Sequence, residues 1–351
     1  MRVFNIEFFT SKFKYVDSVQ MEGLEYTFDY MDIAKNKIKI SADKKVNKGD
    51  YIRAQANDIE ICGIVTDIKE KSEYKIIYFK SFMKYLDVDL LIPFDKTMPV
   101  EEFLKQIIEN EYVNNTDSEE NITGLTVKTT SDTEPACGYD FMDGINNMYD
   151  IFMYAFEVYE VKVNFRINPA EKSIECSIGK ATKETFTIEA DLDNLFDRKI
   201  VIKETKDSAN KIYIYNEEDM TQAITYYKDQ DDIVSTEPVS RVLPVIVKSV
   251  TIKLGKDESF EERAMAKAMS DLTATKYENL IEIECQEDDM LIRPYSREIG
   301  QEANIIKNGM VYNTVLTGYV YSEGMVKLIF GSIRLELTKI LKKRWRKQQW
   351  Q

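Results

Sequence analysis

The chain has 351 residues, 44% hydrophobic and 31% charged, which is the make-up of ordinary globular proteins and long enough for two or three domains. It holds no histidine, which excludes Ser-His and Cys-His nucleophilic systems, histidine general bases and histidine-bound zinc. A formal charge of −14 argues against gripping DNA by phosphate neutralisation, although an acidic wall can face DNA without holding it.

Twenty-one Tyr and 17 Phe, with abundant Ile and Val, lean toward strands, and 13 Gly with 7 Pro leave little room for long flexible linkers. The most apolar window, Tyr149 to Phe165, is broken by Asp150, Glu157, Glu160 and Lys162, so no membrane span is expected. MRVFNIEFF lacks the layout of a signal peptide. Cys62, Cys137, Cys176 and Cys285 show no CxxC spacing, which predicts free thiols in a reducing compartment.

Residues 1–94 read mostly as short strands. NKIKI (36–40) alternates, KGD (48–50) marks a turn, and YIRAQANDIEICGIVTDI gives two arms around Asn57-Asp58. Pro99 opens a predicted helix, VEEFLKQIIENEY, with Phe103, Leu104, Ile107, Ile108 and Tyr112 on one face. After a polar stretch at 113–136, a second helix is predicted with Ile145, Met148, Tyr149, Phe152, Phe156 and Tyr159 at helical spacing, most simply core on one face. VKVNFRI and SIECSI then alternate around an NPAE turn, which makes residues 95–190 a small α/β insert.

From residue 191 the strand signals return in RKIVIKE, NKIYIYN, AITYY and VIVKSVTIKL. SFEERAMAKAMSDLTATKY (259–277) is the clearest helix, and NLIEIEC resumes a strand. The last stretch, 334–351, is basic. Lys339, Lys342, Lys343, Arg344, Arg346 and Lys347 leave the rest of the chain at about −20.

Two distant stretches repeat each other. At a constant offset of 251 residues, Gly49 meets Gly300, Asn57 meets Asn308, Thr66 meets Thr317, Phe79 meets Phe330 and Ser81 meets Ser332. No gap is needed, and apolar positions match between the identities. Two unrelated meanders sharing turn glycines and alternation would give a similar pattern. The alternative is one β-barrel fold present twice, at 1–94 and at 191–333, with the insert between. Three such chains around an axis would then present six similar barrels.

The runs GDYIRAQANDIEICGIVTDI, SANKIYIYN and IGQEANIIKNGMVYNTVLTGYVYSEGMVKLIFGSIRLELTKILKKR resemble the tail hub, or baseplate hub, proteins of tailed bacteriophages and phage-tail-like bacteriocins. The similarity touches most of the chain, and its motifs are structural rather than catalytic. It implies a mainly β fold with two tube-type β-barrel domains, an α/β insert and inserted helices. It implies further a homotrimeric ring in the virion tail, built in the bacterial host cytoplasm, that joins a sixfold tail tube to a threefold tip. Its partners would be a tail tube or distal tail protein, a tail-tip spike or tail lysin, and the tape-measure protein. DNA would pass the channel without specific binding.

No catalytic, cofactor or metal residues are expected. Cys137-Gly138 lacks a histidine base and reads as a loop thiol, and KDQDD (228–232) lacks the Gly and Glu of a calcium loop and reads as a turn. Sixty-one acidic residues do not single out a glycosidase pair. The competing classes are a tail-associated cell-wall hydrolase and a host-surface-binding adaptor. In the tail, Ile333, Leu337, Ile340 and Leu341 fall near one helical face, with Trp345 beyond and Lys342, Lys343, Arg344 and Arg346 at the C-terminal end. This basic segment is either a solvated end or a docking element for an acidic partner.

Overall fold

The computed structural model describes residues 3–22, 24–30, 35–56, 59–92, 98–131, 144–181, 184–190, 199–204, 209–229, 233–237, 245–254, 259–272, 274–277, 279–322 and 324–332. The opening block supplies β1 (Val3–Phe9), β2 (Tyr15–Glu22), β3 (Tyr26–Asp29), β4 (Asn36–Ser41), β5 (Tyr51–Ala56), β6 (Ile59–Glu70) and β7 (Tyr74–Lys80). All but β3 form one six-stranded sheet in the order β2-β1-β5-β6-β7-β4. The alternation in NKIKIS is that of a strand with one wet face: Ile38 and Ile40 are buried while Lys37 and Lys39 are exposed.

The insert supplies β8 (Asp89–Ile92), α1 (Val100–Tyr112), β9 (Leu125–Thr129), β10 (Gly144–Asn147), α2 (Met148–Tyr159), β11 (Val161–Asn168) and β12 (Ser173–Lys180). In α1 the predicted stripe of Phe103, Leu104, Ile107 and Ile108 is buried, and Glu101 and Glu102 in its first turn suit the helix dipole. Helix α2 begins later than its apolar spacing suggests. Ile145 lies in β10, paired with Leu91 of β8, and the Tyr149 N–H donates to the Asn147 side chain as the cap. The cap ends the strand, and Met148, Tyr149, Phe152 and Phe156 still face the core.

The second half supplies β13 (Phe186–Glu189), β14 (Lys199–Glu204), β15 (Lys211–Asn216), β16 (Ala223–Lys228), β17 (Val234–Ser235), β18 (Val247–Ile252), α3 (Phe260–Leu272), β19 (Asn279–Gln286), β20 (Glu302–Lys307), β21 (Met310–Ser322) and β22 (Met325–Gly331). A second large sheet runs β13-β20-β21-β22-β19-β14, and β3 from the opening block adds to β21. Strands β15 to β18 do not join it. They form a separate four-stranded sheet, β17-β16-β15-β18, with α3 closing its own small core of Ile212, Ile214, Ala264, Ala268 and Leu272. The predicted helix of 259–277 is α3, followed by a short 3-10 turn over Ala274–Tyr277.

One core serves both large sheets. Ile6, Phe8, Ile52, Ile77 and Phe79 of the first pack in the same cluster as Ile281, Ile283, Leu316, Leu328 and Phe330 of the second. The insert packs in a second core, in which α1, α2, β9, β11 and β12 join Phe9, Phe13, Tyr51, Cys62 and Phe82 of the opening block. Both large sheets therefore stand or fall together as one packed body.

Candidate functional site

The two halves repeat in three dimensions at the offset read from the sequence. In the first, Tyr51 pairs with Ile64 and Val65 with Phe79; in the second, Glu302 pairs with Val315 and Leu316 with Phe330. Each long strand carries a register shift at the same place, between Val65 and Asp67 and between Leu316 and Gly318. Thr66 and Thr317 are the extra residues there. Each hydroxyl donates to a carbonyl of the following strand, Thr66 Oγ1 to Tyr78 O and Thr317 Oγ1 to Ile329 O, both at 3.3 Å.

Gly49 and Gly300 open the two units with φ of +92° and +86°, a left-handed conformation that glycine adopts without a Cβ penalty. Their N–H groups donate to Val65 O at 2.9 Å and Leu316 O at 2.8 Å. Phe79 and Phe330 are both fully buried, in equivalent strands. Asn308 sits in the tight turn of the second unit with φ of +52°, while its counterpart Asn57 lies outside the described residues.

The two units are clasped by β3. It leaves the first unit and pairs antiparallel with β21 from Tyr26↔Tyr321 to Asp29↔Gly318, and the Tyr30 N–H donates to Thr317 O at 2.7 Å. Aromatic rings line this seam: Tyr26 stacks on Phe79 of the first unit, and Phe28 stacks on Tyr319 of the second. Asn36, at the start of β4, holds both backbone groups of Thr27, accepting from its N–H and donating to its C=O. Tyr30 reaches the insert, where its ring meets Phe156 and its hydroxyl accepts from Val163 N at 3.0 Å.

Charged groups fasten the insert to the second unit. Lys162 of β11 pairs with Glu298 and donates to Ile299 O, and burial lowers the pKa of its amine, with Glu298 opposing that shift. Lys276 bridges Glu160 and Glu302. Burial works against its charge, but those two carboxylates prevail and raise its pKa. A cavity of about 220 Å³ lies where β3, β6, β11 and the 294–299 turn converge, walled by Tyr26, Tyr319, Phe165 and Arg297.

Cys62, Cys176 and Cys285 are buried and form no disulfide among the described residues. Burial pushes the Cys62 and Cys176 thiols far above their ordinary value, and the Cys62 thiol donates to Phe165 O. Cys137 lies outside the described residues, as does the whole predicted docking segment with Leu337, Ile340, Leu341, Lys342, Lys343, Arg344, Trp345 and Arg346. Among the described residues no cluster of three His, Cys, Asp or Glu is arranged to hold a metal ion. No described helix is long and apolar enough to cross a membrane, a statement that leaves β-barrels aside. The sequence pointed to the repeated unit but not to its clasp. The only trace of β3 is a four-residue alternation, and nothing in it names β21 as its neighbour.

No protein-family model matches the chain, and no curated protein matches it. Solved structures do. A prophage tail protein (gp18) of Listeria monocytogenes EGD-e superposes with a TM-score of 0.57 at 11% identity, covering 97% of this chain and 98% of that one. A tail protein of Neisseria meningitidis MC58 gives 0.54 at 12% identity, covering 93% and 96%. The 43 kDa tail protein of prophage MuSo2 from Shewanella oneidensis gives 0.53 at 11% identity, covering 94% and 98%. Over nearly its whole length, the chain has the fold of these phage tail proteins.

Proposed function

We propose that the protein is a structural hub of a phage tail or phage-tail-like particle, in which three chains form a ring of six similar barrel units. The observation that carries this reading is the internal duplication: one meander, with one bulge and one glycine opening, occurs twice in register within a single chain. A chain with two equivalent units is the simplest adaptor between a sixfold tube and a threefold tip, because three copies satisfy both symmetries. The fold shared with phage tail proteins supports it. In this reading the units are residues 1–94 and 191–333 with the insert at 95–190 between them, except that β13, at the end of the insert, joins the second sheet and β15 to β18 stand apart from it. The role is architectural and calls for no catalytic residue. A net charge of −14 suits a channel wall past which a tape-measure protein and then DNA must slide, since it does not trap a polyanion.

Imaging of the assembled particle tests this. Class averages are expected to show a ring with threefold symmetry and six similar lobes. A ring holding six or twelve chains would count against it.

The neighbours are a tail tube or distal tail protein above, and a spike or tail lysin below. The basic segment 334–351 is the docking element for an acidic neighbour, with its apolar residues supplying affinity and its cations guiding approach. Deleting it should leave circular dichroism and melting unchanged while abolishing assembly. Normal assembly of the shortened chain would make the segment a bystander.

A further inference from the structure

We infer that the free edge of β6 at residues 66–70 receives a strand from a neighbouring copy of this chain, repeating there the contact that β3 makes on β21. The inference rests on the ring reading above and names the edge through which one chain meets the next.

Beyond its bulge, β21 changes partner. Its last link toward β20 is Leu316 N to Gln301 O, and from Thr317 onward the same edge is taken by Tyr30 and β3. In the first unit the equivalent last link is Val65 N to Asp50 O. Past it, residues 67–70 pair with β7 on one side, and no described strand pairs with the other. Ile68 donates its N–H to the Asp67 carboxylate at 3.0 Å. Burial records the same difference. Thr317, Gly318 and Tyr321 are buried, whereas Thr66 and Asp67 are half-buried and Glu70 is exposed.

An open edge presents backbone N–H and C=O groups in the spacing another strand needs. Its equivalent is filled, so the geometry for accepting a strand already exists in this fold. Within the chain, unit one gives the strand and unit two accepts it. Continuing that interface by one step places unit two of one copy against unit one of the next. Such a head-to-tail contact closes into a ring when the rotation divides a full turn. The side chains fit this division. Where β21 has Tyr319, Val320 and Tyr321, β6 has Ile68, Lys69 and Glu70. In the first set Tyr321 is buried and Tyr319 and Val320 are half-buried beside β3. The second keeps charges on an edge that stays in water until assembly, as natural edge strands do.

Hydrogen exchange read by mass spectrometry, on the full chain when dilute and when assembled, tests the proposal. The amides of 66–70 that face away from β7 are expected to exchange freely in the dilute chain and at least about tenfold more slowly in the ring, while those of 318–321 stay slow in both. A threefold ring in which 66–70 exchanges unchanged would overturn this inference and leave the ring reading standing. Failure to self-associate under any condition would remove both. Slow exchange of 66–70 already in the dilute chain would assign the edge to a segment of the same chain, and the inference would fall.

Discussion

Replacing Gly331 with alanine is expected to cost on the order of 3–5 kcal/mol and to loosen the second barrel sheet, because two penalties add at that position. Gly331 has φ of +82°, where a Cβ is disfavoured, and a Cβ built there would stand 1.8 Å from the carbonyl oxygen of Asn279. That oxygen has nowhere to go. Asn279 begins β19, which is held between β22 and β14, and the same oxygen accepts from Ser332 N at 2.8 Å. Gly324 is the control. Its φ is +83°, but nothing lies within 4 Å of its Cβ position, so alanine there carries the backbone penalty alone, about 1–2 kcal/mol. Urea unfolding followed by circular dichroism separates the two. Equal losses for both variants would show that the close approach of β19 to β22 does not matter.

The same position shows how far the sequence could be read. Counted by the offset, Gly331 corresponds to Lys80, and Thr314 corresponds to Gly63. In the first unit it is Gly63 that permits a close approach, since its Cβ would lie 2.1 Å from Lys80 O. The two units thus hold different close approaches, Gly63 against Lys80 of β7 and Gly331 against Asn279 of β19. Identity counting misses both. It did find Thr66 and Thr317, whose register was legible although the bulge that explains them was not. Alternation and helical spacing revealed β4, β11, α1 and most of α2, because period reports which face of an element is buried. Period does not report which strand lies beside which. Hence the addition of β3 to β21, the parallel pairing of β13 with β20, and the separate sheet of β15 to β18 were all hidden. The strand signals of 199–252 read the same whether they extend a barrel or build a sheet of their own.

Above about pH 9 the protein is expected to lose stability steeply, and above about pH 10 more steeply still. The cause is a set of weak acids buried without a charge partner. Cys62 and Cys176 have their thiols pushed up by burial, and so do the phenols of Tyr26, Tyr30 and Tyr51. In the unfolded chain these groups ionise near their ordinary values, about 9 for the thiols and about 10 for the phenols. In the folded chain burial holds their protons to higher pH. The unfolded state then binds fewer protons than the native one, so stability falls as pH rises through that window and is fully present below it. Each group contributes at most about 1.4 kcal/mol per pH unit. The two thiols begin the loss from about pH 9, and the buried phenols, which include Tyr85, Tyr112, Tyr277 and Tyr319 as well, steepen it above about pH 10. Against a typical stability of about 5–15 kcal/mol, the native state should be lost by roughly pH 11. Tyr26 and Tyr30 lie in the strand and turn that clasp the two units to each other and to the insert, so their ionisation and the opening of that clasp are one event. Tyrosinate absorbance of these residues should therefore rise together with the loss of far-ultraviolet circular dichroism. A tyrosinate titration of all the phenols centred near pH 10 with the circular dichroism intact would show that they reach solvent without unfolding, and the prediction would fail.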